Sequence, residues 1–538
     1  MAQQKKLQGQ QKKKRMGFDL GLAATLILLI FRIPLANVIE DKGNGYLAVS
    51  WEVFVLFSLV FSYGFSRAVG SLVKERLRKG QFRNSNRVIK TALVAGTITS
   101  VIGASLMYLL SKSFVTIFMD SQLTDISVYM KLSGISVQLY AIVMVIGTIF
   151  GIFRGYFEGI GTKVPTQMSR VVEAVITMTG AFIFCSMLKE YGTKVGTLLF
   201  NEQYKLAFGA AGVVAGCICG SMLSGLFLTV LYMLYHTNFK KLLQKDIGSI
   251  PEKYTSILKA LYESVFLVSA EVLFFLLYRT VNLSLYIKTY VQGENPLRGI
   301  EYAGVYYGKI TVLVAISIVC ILALVERNRK KVSYYFLKEQ NRNGRYRLTN
   351  DLEKICSIGL PVVGSFLVLT EFLMKTFFQS CTKTDAFMMR ISSVSIVFMT
   401  LGVYLYRILV DLDLRKYVWI IQSIAFVAQT AVMIFWITIS VTGDISMPFS
   451  ELVFWVIVAC GELMAIIKLY KMRFAWNKIV LNPIIRTTIL VLAEFLVVQL
   501  LQKHLDAWLV CILALGVGIG CYELSKKLPF LKKGTKME

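Results

Sequence analysis

The sequence predicts an all-α polytopic membrane protein with about fourteen transmembrane helices. These form two parallel six-helix repeats, with two further helices near the C-terminus. Three observations predict this fold: long apolar runs, charge bunched between them, and a basic motif that recurs six spans later. Of the 538 residues, 56% are hydrophobic and 17% are charged. A soluble protein would carry about 25% charged residues, so the composition excludes an ordinary soluble enzyme.

The apolar runs set the number of spans. Runs such as 92–110 and 207–235 are long enough to cross hydrocarbon about 30 Å thick, which takes roughly 20 helical residues. The first run is too long for a signal peptide, and no small-residue cleavage site follows it, so we expect no cleaved leader. The predicted spans are roughly 17–39, 47–73, 91–111, 127–152, 168–188, 206–235, 256–287, 303–325, 355–378, 387–410, 417–441, 449–468, 485–501 and 507–524.

The distribution of Lys and Arg predicts the orientation. With the N-terminus inside, the inner segments carry several times as many basic residues as the outer ones, which the positive-inside rule requires. The formal net charge of +27 is thus a topology signal that suits anionic lipid headgroups, and we expect no nucleic-acid partner. The predicted parts are a basic cytoplasmic N-terminus (1–16), a first six-helix lobe (17–236), a cytoplasmic linker (237–254), a second six-helix lobe (255–468), two additional helices (485–524) and a basic cytoplasmic tail (525–538).

A repeated basic motif predicts the duplication. Residues 78–90 read RKGQFRNSNRVIK after the second span, and residues 342–354 read RNGRYRLTNDLEK after the eighth. Because six spans separate the two copies, both halves enter the membrane in the same direction, as in parallel-repeat transporters. Two unrelated basic loops remain the alternative. The ungapped alignment places Arg78 on Arg342, Gly80 on Gly344, Arg83 on Arg347, Asn86 on Asn350 and Lys90 on Lys354.

Metal and redox chemistry receive no support from the sequence. The nine cysteines are scattered, and Cys217 and Cys219, two apart on a helix, point to different sides. The two histidines, His236 and His504, do not make a metal cluster by themselves. No loop groups catalytic carboxylates or histidines, and we therefore expect neither a cofactor nor an enzymatic activity.

Three arginines within spans are the leading candidates for a substrate site. A charge at the centre of a span costs about 2.5–3.5 kcal/mol on insertion scales, so it is expected to face an interior and to function there. Arg32 in span 1 and Arg279 in span 7 lie at similar depth, and the repeat makes their spans counterparts across a shared cavity. Arg67 lies nearer the inner end of span 2. Guanidinium groups bind phosphates through paired hydrogen bonds, so these residues predict an anion site.

Three carboxylates complete the candidate substrate-binding set. Glu263 and Glu271 share span 7 with Arg279 at intervals of eight residues, which predicts one broad face. Glu52 in span 2 is similarly embedded. These carboxylates are expected to neutralise the arginines of an empty cavity or to bind a coupling proton or sodium ion. Structural ion pairs between helices are the alternative for all of them.

The N-terminal half resembles a known family. The stretch FRIPLANVIEDKGNGYLAVSWEVF (31–54) resembles the opening of the stage V sporulation protein B group, Gram-positive members of the MOP exporter superfamily close to MurJ-type lipid II flippases. GFSRAVGSLVKE (64–75) resembles the end of that family's second helix, with Ser66 where proline is usual. The matching residues are Arg32, Ile33, Pro34, Leu35, Asp41, Gly43, Gly45, Tyr46, Gly64, Ala68, Leu72, Val73 and Glu75.

The fourth and fifth spans carry the most specific match. RGYFEGIGTKVPTQMSRVVEAV (154–175) is similar to the family pattern Arg-Gly-Tyr-Phe-Gln-Gly, then Pro-Thr, Ser and Glu-Gln. Glu158 and Ala174 replace the two glutamines, and Thr177 stands where an arginine is usual. The matching residues are Arg154, Gly155, Tyr156, Phe157, Gly159, Pro165, Thr166, Ser169 and Glu173.

The resemblance implies a V-shaped MOP/MATE-like bundle in the bacterial cytoplasmic membrane, and the distribution of Lys and Arg predicts that both termini are cytoplasmic. It implies a flippase that moves an undecaprenyl-pyrophosphate-linked saccharide, either lipid II or a polysaccharide repeat unit, by alternating access. Expected partners are that lipid-linked saccharide, the bilayer and cell-envelope synthesis proteins, with a monomer as the transporting unit. Membrane potential, H+ or Na+ would supply energy. Alternatives are a MATE-like multidrug or cation antiporter, a membrane enzyme, and a non-transporting paralogue in envelope assembly.

Overall fold

A computed structural model describes most of the chain and confirms the predicted all-α class. Within the described residues every regular element is a helix, and fourteen helices are long and apolar enough to cross a membrane. We call them spans 1 to 14 in chain order. The described residues are 20–111, 113, 115, 126–243, 246, 250–292, 296–378, 381–439, 445–472, 474 and 476–526.

Twelve spans form two consecutive sets of six. Most helices are longer than a bilayer is thick, so they extend beyond it at one or both ends. Spans 1 to 6 are Leu20–Ile39, Asp41–Phe61 continuing as Gly64–Arg78, Phe82–Leu109, Ile126–Ile160, Val164–Leu198 and Gln203–Leu243. Spans 7 to 12 are Tyr254–Gln292, Pro296–Val305 continuing through the π-helical Tyr306–Ile310 and Thr311–Leu337, Asn341–Phe378, Lys383–Asp411, Arg415–Ile439 and Ser446–Tyr470.

The remaining two spans pack on one side of the second set. Span 13 runs through the π-helical Asn477–Leu481 and Asn482–Leu501, and span 14 is Ala507–Ser525. Glu494 in span 13 contributes to their attachment: it is fully buried and accepts a 2.7 Å hydrogen bond from the Ser365 hydroxyl in span 9. The Tyr522 hydroxyl in span 14 donates to the Ser357 carbonyl of the same span 9. Two polar contacts thus fix the additional pair to the second lobe.

The same turn follows spans 2 and 8, but in a register different from the predicted one. After span 2, Gly80 has φ +72°, and after span 8, Glu339 has φ +58°. The Gln81 and Gln340 amides each donate back five residues, over 2.9 Å in both cases. Glu339, not Gly344, is therefore the counterpart of Gly80. The predicted ungapped alignment is wrong by five residues because Gly344 lies within span 9, where it packs against a ring and makes no turn.

We call the end of the bundle that carries these turns the basic end, and the other the opposite end. At the opposite end, spans 2 and 8 cross at backbone contact. A Cβ on Gly45 would lie 2.2 Å from the Ile300 carbonyl oxygen, and one on Gly304 would lie 1.7 Å from that of Asp41. Glycine is required at such a crossing because any side chain would force the helices apart.

The basic half of span 7 packs into the first lobe. Ile257, Leu261 and Val265 belong to the apolar core formed by spans 2, 3 and 4, and a Cβ on Gly64 would meet the Val265 carbonyl oxygen at 2.5 Å. The other half of span 7 carries Tyr278, which packs with the second lobe. Span 7 therefore connects the two lobes through the membrane, and a residue in its middle lies between them.

The tight crossing of spans 2 and 8 yields a stability prediction. Gly45→Ala should destabilise the protein by about 1–3 kcal/mol, the usual cost of overpacking. The reason is that the new methyl group would overlap the Ile300 carbonyl oxygen. Gly134→Ala is the matched control, since a Cβ there has no atom within 4 Å and alanine is the better helix former. Thermal unfolding of the purified protein should show a lower midpoint for Gly45→Ala alone. Equal midpoints would contradict the crossing.

Candidate functional site

A cavity of about 540 Å³ opens between spans 1, 2, 4, 5 and 6, and the second lobe closes it with two side chains. Those two are Arg279 and Tyr307. The expected interface site is thus built mainly on the first lobe. Its lining residues are Leu28, Leu29, Arg32, Leu35, Asn44, Leu47, Ala48, Trp51, Glu52, Phe54, Tyr140, Val143, Glu173, Thr177, Met178, Val213, Cys217, Ser221, Arg279 and Tyr307.

Arg32 enters the cavity from span 1 and is held by one neighbour. Its Nη2 donates a 2.8 Å hydrogen bond to Asn44 Oδ1. The Asn44 amide nitrogen in turn donates to the carbonyls of Ala36 and Glu40, over 2.9 Å each, so the amide is fixed at the turn between spans 1 and 2. Nη1 of Arg32 is buried without a hydrogen-bond partner in the described structure. One edge of the guanidinium therefore has hydrogen-bonding capacity that the described protein groups do not use.

Arg279 faces the same cavity and is paired with Glu52. Its Nε lies 3.4 Å from Glu52 Oε1, while the Thr280 hydroxyl donates to Glu52 Oε2 over 3.1 Å. Glu52 is only 1% exposed. The guanidinium also lies 5.1 Å from the Tyr307 ring centroid, a cation–π arrangement. This pair joins span 2 of the first lobe to span 7, and sequence reasoning predicted both residues without predicting that they bond each other.

The second carboxylate on the cavity, Glu173, is already neutralised. Arg154 Nη2 lies 2.7 Å from Glu173 Oε2, and its Nε donates to the Ser169 hydroxyl. Arg154 therefore fastens the end of span 4 to span 5. Among the charged side chains that line the cavity, Arg32 is the one for which the described structure contains no carboxylate within salt-bridge distance. With Arg154 counted, three arginines stand against two carboxylates, which leaves one positive charge, that of Arg32, without a carboxylate partner.

An aromatic wall faces these charges. Tyr140 stacks on Phe54 with ring centroids 4.9 Å apart, and Trp51 meets both rings at 5.4 and 5.9 Å. Sequence reasoning did not assign these residues a role. Trp51 and Phe54 flank Glu52 in span 2, so their spacing was a usable signal, whereas Tyr140 joins them only through the packing of span 4 on span 2. The wall offers flat apolar faces next to polar groups.

Arg67 and Glu271 lie elsewhere, at the basic end. Glu271 is 3% exposed and bonds two arginines: Arg67 Nη1 lies 3.0 Å from Oε2, and Arg415 Nε lies 2.7 Å from Oε1. Arg67 belongs to span 2 of the first lobe and Arg415 begins span 11 of the second. We call these three residues the basic-end latch, because Glu271 in the middle of span 7 bridges the lobes there.

The predicted common face on span 7 is wrong. Glu263 is exposed and lines none of the described cavities, Glu271 is sealed in the basic-end latch, and Arg279 alone reaches the central cavity. Two intervals of eight residues rotate by about 160°, and the change of packing partner along span 7 separates the three side chains further. Arg32, Arg279 and Glu52 are the predicted site residues that the structure brings together.

Ion pairs also join the lobes at the opposite end. Lys309 is 3% exposed and its Nζ lies 2.6 Å from Asp41 Oδ1, between spans 8 and 2. Nearby, burial alone would raise the pKa of Glu40, but a hydrogen bond and charge from Lys189, assisted by Lys205, outweigh it and lower that pKa. Glu40 thus remains ionised and anchors the turn between spans 1 and 2 to spans 5 and 6.

Two curated proteins are similar in sequence to part of this chain. No family model matches the chain. Stage V sporulation protein B of Bacillus subtilis (strain 168) is 22% identical over 239 residues, covering 44% of this chain and 42% of that protein. Lipid II flippase MurJ of the same organism is 24% identical over 242 residues, covering 44% and 41%. The aligned region therefore spans about two fifths of each relative.

Solved structures extend the likeness over almost the whole chain. The inward closed conformation of lipid II flippase MurJ superposes with a TM-score of 0.66 at 12% identity, covering 96% of this chain and 100% of that one. An inward-facing MATE family transporter of the MOP superfamily gives 0.64 at 15% identity, covering 84% and 96%. This chain has the fold of the MOP exporter superfamily. The resemblance drawn from the sequence is confirmed.

The basic-end latch of this MOP exporter fold yields a prediction. Glu271→Gln leaves Arg67 and Arg415 without their shared counter-charge, and both are partly exposed, so the cost is on the order of 1 kcal/mol, a several-fold shift in any equilibrium between closed and open basic ends. Distances between labels on spans 2 and 11 should lengthen. Glu263→Gln, on the same helix, is the control and should leave them unchanged. Identical distances in the two variants would contradict a bridging role.

Proposed function

We propose that the protein is a flippase that carries a polyprenyl-pyrophosphate-linked saccharide across the bacterial cytoplasmic membrane. The cargo would be undecaprenyl-linked lipid II or a polysaccharide repeat unit. The observation that carries the proposal is that Arg32 and Arg279 line one cavity within the span region, with Nη1 of Arg32 unpaired. The protein acts as a transporter, and no bond of the cargo is made or broken.

The pyrophosphate binds between the two arginines. A guanidinium donates paired hydrogen bonds to phosphate oxygens and never loses its charge. Arg32 is already free of carboxylates, so it takes the first phosphate. Arg279 takes the second by exchanging Glu52 for the phosphate, and Glu52 keeps its hydrogen bond from Thr280. Thr177, where the resembling family has an arginine, leaves this cavity with two available cations rather than three.

The saccharide and the lipid tail occupy different surroundings. Trp51, Phe54 and Tyr140 provide aromatic faces for the apolar sides of sugar rings, while the polar cavity solvates the hydroxyl groups. A volume of about 540 Å³ is within the range of small-ligand sites. The polyprenyl tail remains in the bilayer. Only the charged headgroup therefore needs a protein-lined path across the hydrocarbon.

Alternating access follows from the lobe contacts. Lys309 and Asp41 close the opposite end, the basic-end latch closes the other, and rocking of the lobes about the cavity exposes it to one side at a time. With the basic end cytoplasmic, an inside-negative potential favours outward movement of an anion by about 2.3 kcal/mol per charge per 100 mV. The similarity to stage V sporulation protein B and to lipid II flippase MurJ also supports the flippase proposal.

A cation antiporter is the second candidate, since several similar structures are MATE transporters and two carboxylates, Glu52 and Glu173, line the cavity. Each carboxylate is paired with an arginine, which argues against a free cation site. Binding assays separate the two functions. A lipophilic cation that bound, with no binding of pyrophosphate, would favour the antiporter.

The proposed function is tested by depleting the protein in its host and measuring lipid-linked precursors on each leaflet. Wild type should restore outward delivery. Arg32→Gln and Arg279→Gln should each reduce it about ten- to hundredfold, since a hydrogen bond to a charged group contributes about 1.5–3 kcal/mol. Arg390→Gln is the matched control, because Arg390 also lies within a span but pairs with Glu371 away from the cavity.

The contrary result is clear. If both single variants and the double variant restored delivery at expression equal to wild type, the proposed arginine site would be wrong. If precursors did not accumulate on the inner leaflet after depletion, the proposed flippase function would be wrong. Delivery that fails equally in Arg390→Gln would show a general effect of losing any arginine within a span.

A further inference from the structure

A carboxyl group in the second lobe has no role in the site described above. Glu462 in span 12 is 0% exposed, and neither of its oxygens has a hydrogen-bond partner in the described structure. The backbone N–H of Tyr406 borders it, but that N–H belongs to the helix Lys383–Asp411. Other buried carboxylates differ: Glu52, Glu271, Glu494 and Asp351 each accept at least one side-chain hydrogen bond.

A second unpaired side chain lies at the same level. Gln422 in span 11 is 1% exposed, and its amide nitrogen lacks an acceptor in the described residues. Ile421 beside it packs on Gly461, where an added Cβ would lie 2.7 Å from Ile421 Cγ2. Gln422 and Glu462 are therefore the chain neighbours of two residues that touch across spans 11 and 12. Each is a polar side chain sealed from solvent within the helix packing.

Burial decides the protonation state of Glu462 in this conformation. An ionised carboxylate without a cation or hydrogen-bond donor has a prohibitive cost in an apolar interior, whereas a neutral carboxylic acid costs far less. The ordinary response of such a group is to hold its proton. The conformation seen here, with the basic-end latch formed, is therefore one in which Glu462 carries a proton.

We propose that Glu462 is a proton-binding site whose occupancy is coupled to closure of the basic end. The carboxylate takes one proton from water at the basic end when spans 10, 11 and 12 separate, becomes a neutral carboxylic acid, and is then sealed as the lobes close. Opening reverses the step, and the proton returns to water. A conformation with the higher proton affinity is favoured wherever protons are abundant.

Tyr406 provides the physical connection to the latch. Its hydroxyl lies close to Arg67 and Glu271, and its backbone borders Glu462. If Glu462 loses its proton, the new anion requires a cation, and the arginines of the latch are the ones reached through Tyr406. Ionisation of Glu462 therefore competes with Glu271 for those arginines and weakens the latch.

The other charged groups on the packed elements are already committed. On span 7, Glu271 bonds Arg67 and Arg415. On span 10, Arg407 pairs with Glu326, and Asp411 accepts from Arg329. On span 12 itself, Glu451 accepts from Tyr278, eleven residues from Glu462 and thus about 16 Å along the helix. Lys468 lies at the solvent-facing end of span 12, and Lys416 at that of span 11, both beyond Glu462 toward the basic end.

The test measures the lobe separation at the basic end against pH, without any cargo. Labels are placed through an unnatural amino acid at Lys74 and Lys416, which are exposed on spans 2 and 11, in the purified full chain in nanodiscs. In wild type the separation should grow as pH rises, along a one-proton curve. In Glu462→Gln, whose side chain is neutral at every pH, the separation should stay short throughout. Glu494→Gln, the matched control for a fully buried carboxyl, should titrate as wild type.

One further variant keeps the result decisive. Glu462→Asp keeps the carboxyl and should titrate with a moved midpoint, so the site can be judged even if the Gln variant does not fold. At the basic end, Lys330 of the second lobe lies beside Lys163 of the first, and loss of the charge on Lys330 at high pH would bring the lobes together, which is the opposite direction.

The contrary outcomes are a wild-type separation that does not change with pH, or a Glu462→Gln variant that titrates like wild type. Either would overturn the proton site. The inference rests on the proposed flippase only for its role in energising transport. A pH-dependent separation that Glu462→Gln abolishes, in a protein that moves no lipid-linked saccharide, would leave the proton site standing and reject the flippase.

Discussion

The ion pair between Glu52 and Arg279 is the interaction on which the arrangement of the protein depends. A lone charge within the hydrocarbon region is costly, and a buried pair is tolerated when its remaining hydrogen-bonding capacity is met. Here Thr280 meets it for the carboxylate and the Tyr307 ring covers the guanidinium. The pair crosses from span 2 to span 7, so the same contact that neutralises the cavity also connects the lobes across it.

Three ionic contacts join the lobes at different depths. Lys309 with Asp41 lies at the opposite end, Glu52 with Arg279 at the cavity, and the basic-end latch beyond it. A phosphate that takes Arg279 from Glu52 alters the central contact first, and the lobes are free to respond at either end. Arg32 is different, because its unpaired Nη1 gives an anion a place to arrive before any existing pair is broken.

The sequence predicted the fold and part of the site from two features: the depth of the arginines within their spans and the duplication of the six-helix unit. Arg32 and Arg279 were placed on one cavity because spans 1 and 7 are counterparts in a parallel repeat, and the structure has both lining it. The predicted register of the repeat was wrong because Gly80 and Gly344, although both are glycine, have different backbone conformations. Glu339 adopts the same positive-φ turn as Gly80 without being glycine. Which carboxylate pairs with which arginine depends on how span 7 divides its packing between the lobes, and a sequence does not encode that locally. Glu462 could have been selected from the sequence because it is a charged residue inside a predicted span. The residues next to it in the chain do not show that its carboxyl group has no partner.

The central claim is that an anion and Glu52 compete for Arg279, in a cavity where Nη1 of Arg32 has no hydrogen-bond partner among the described residues. Calorimetric binding of a short-chain polyprenyl pyrophosphate to purified wild type and Glu52→Gln tests this most directly. Removal of the competing carboxylate should tighten binding by on the order of tenfold, about 1.4 kcal/mol. Unchanged or weaker binding by Glu52→Gln would show that the pyrophosphate does not reach Arg279, and the account of the cavity would be wrong.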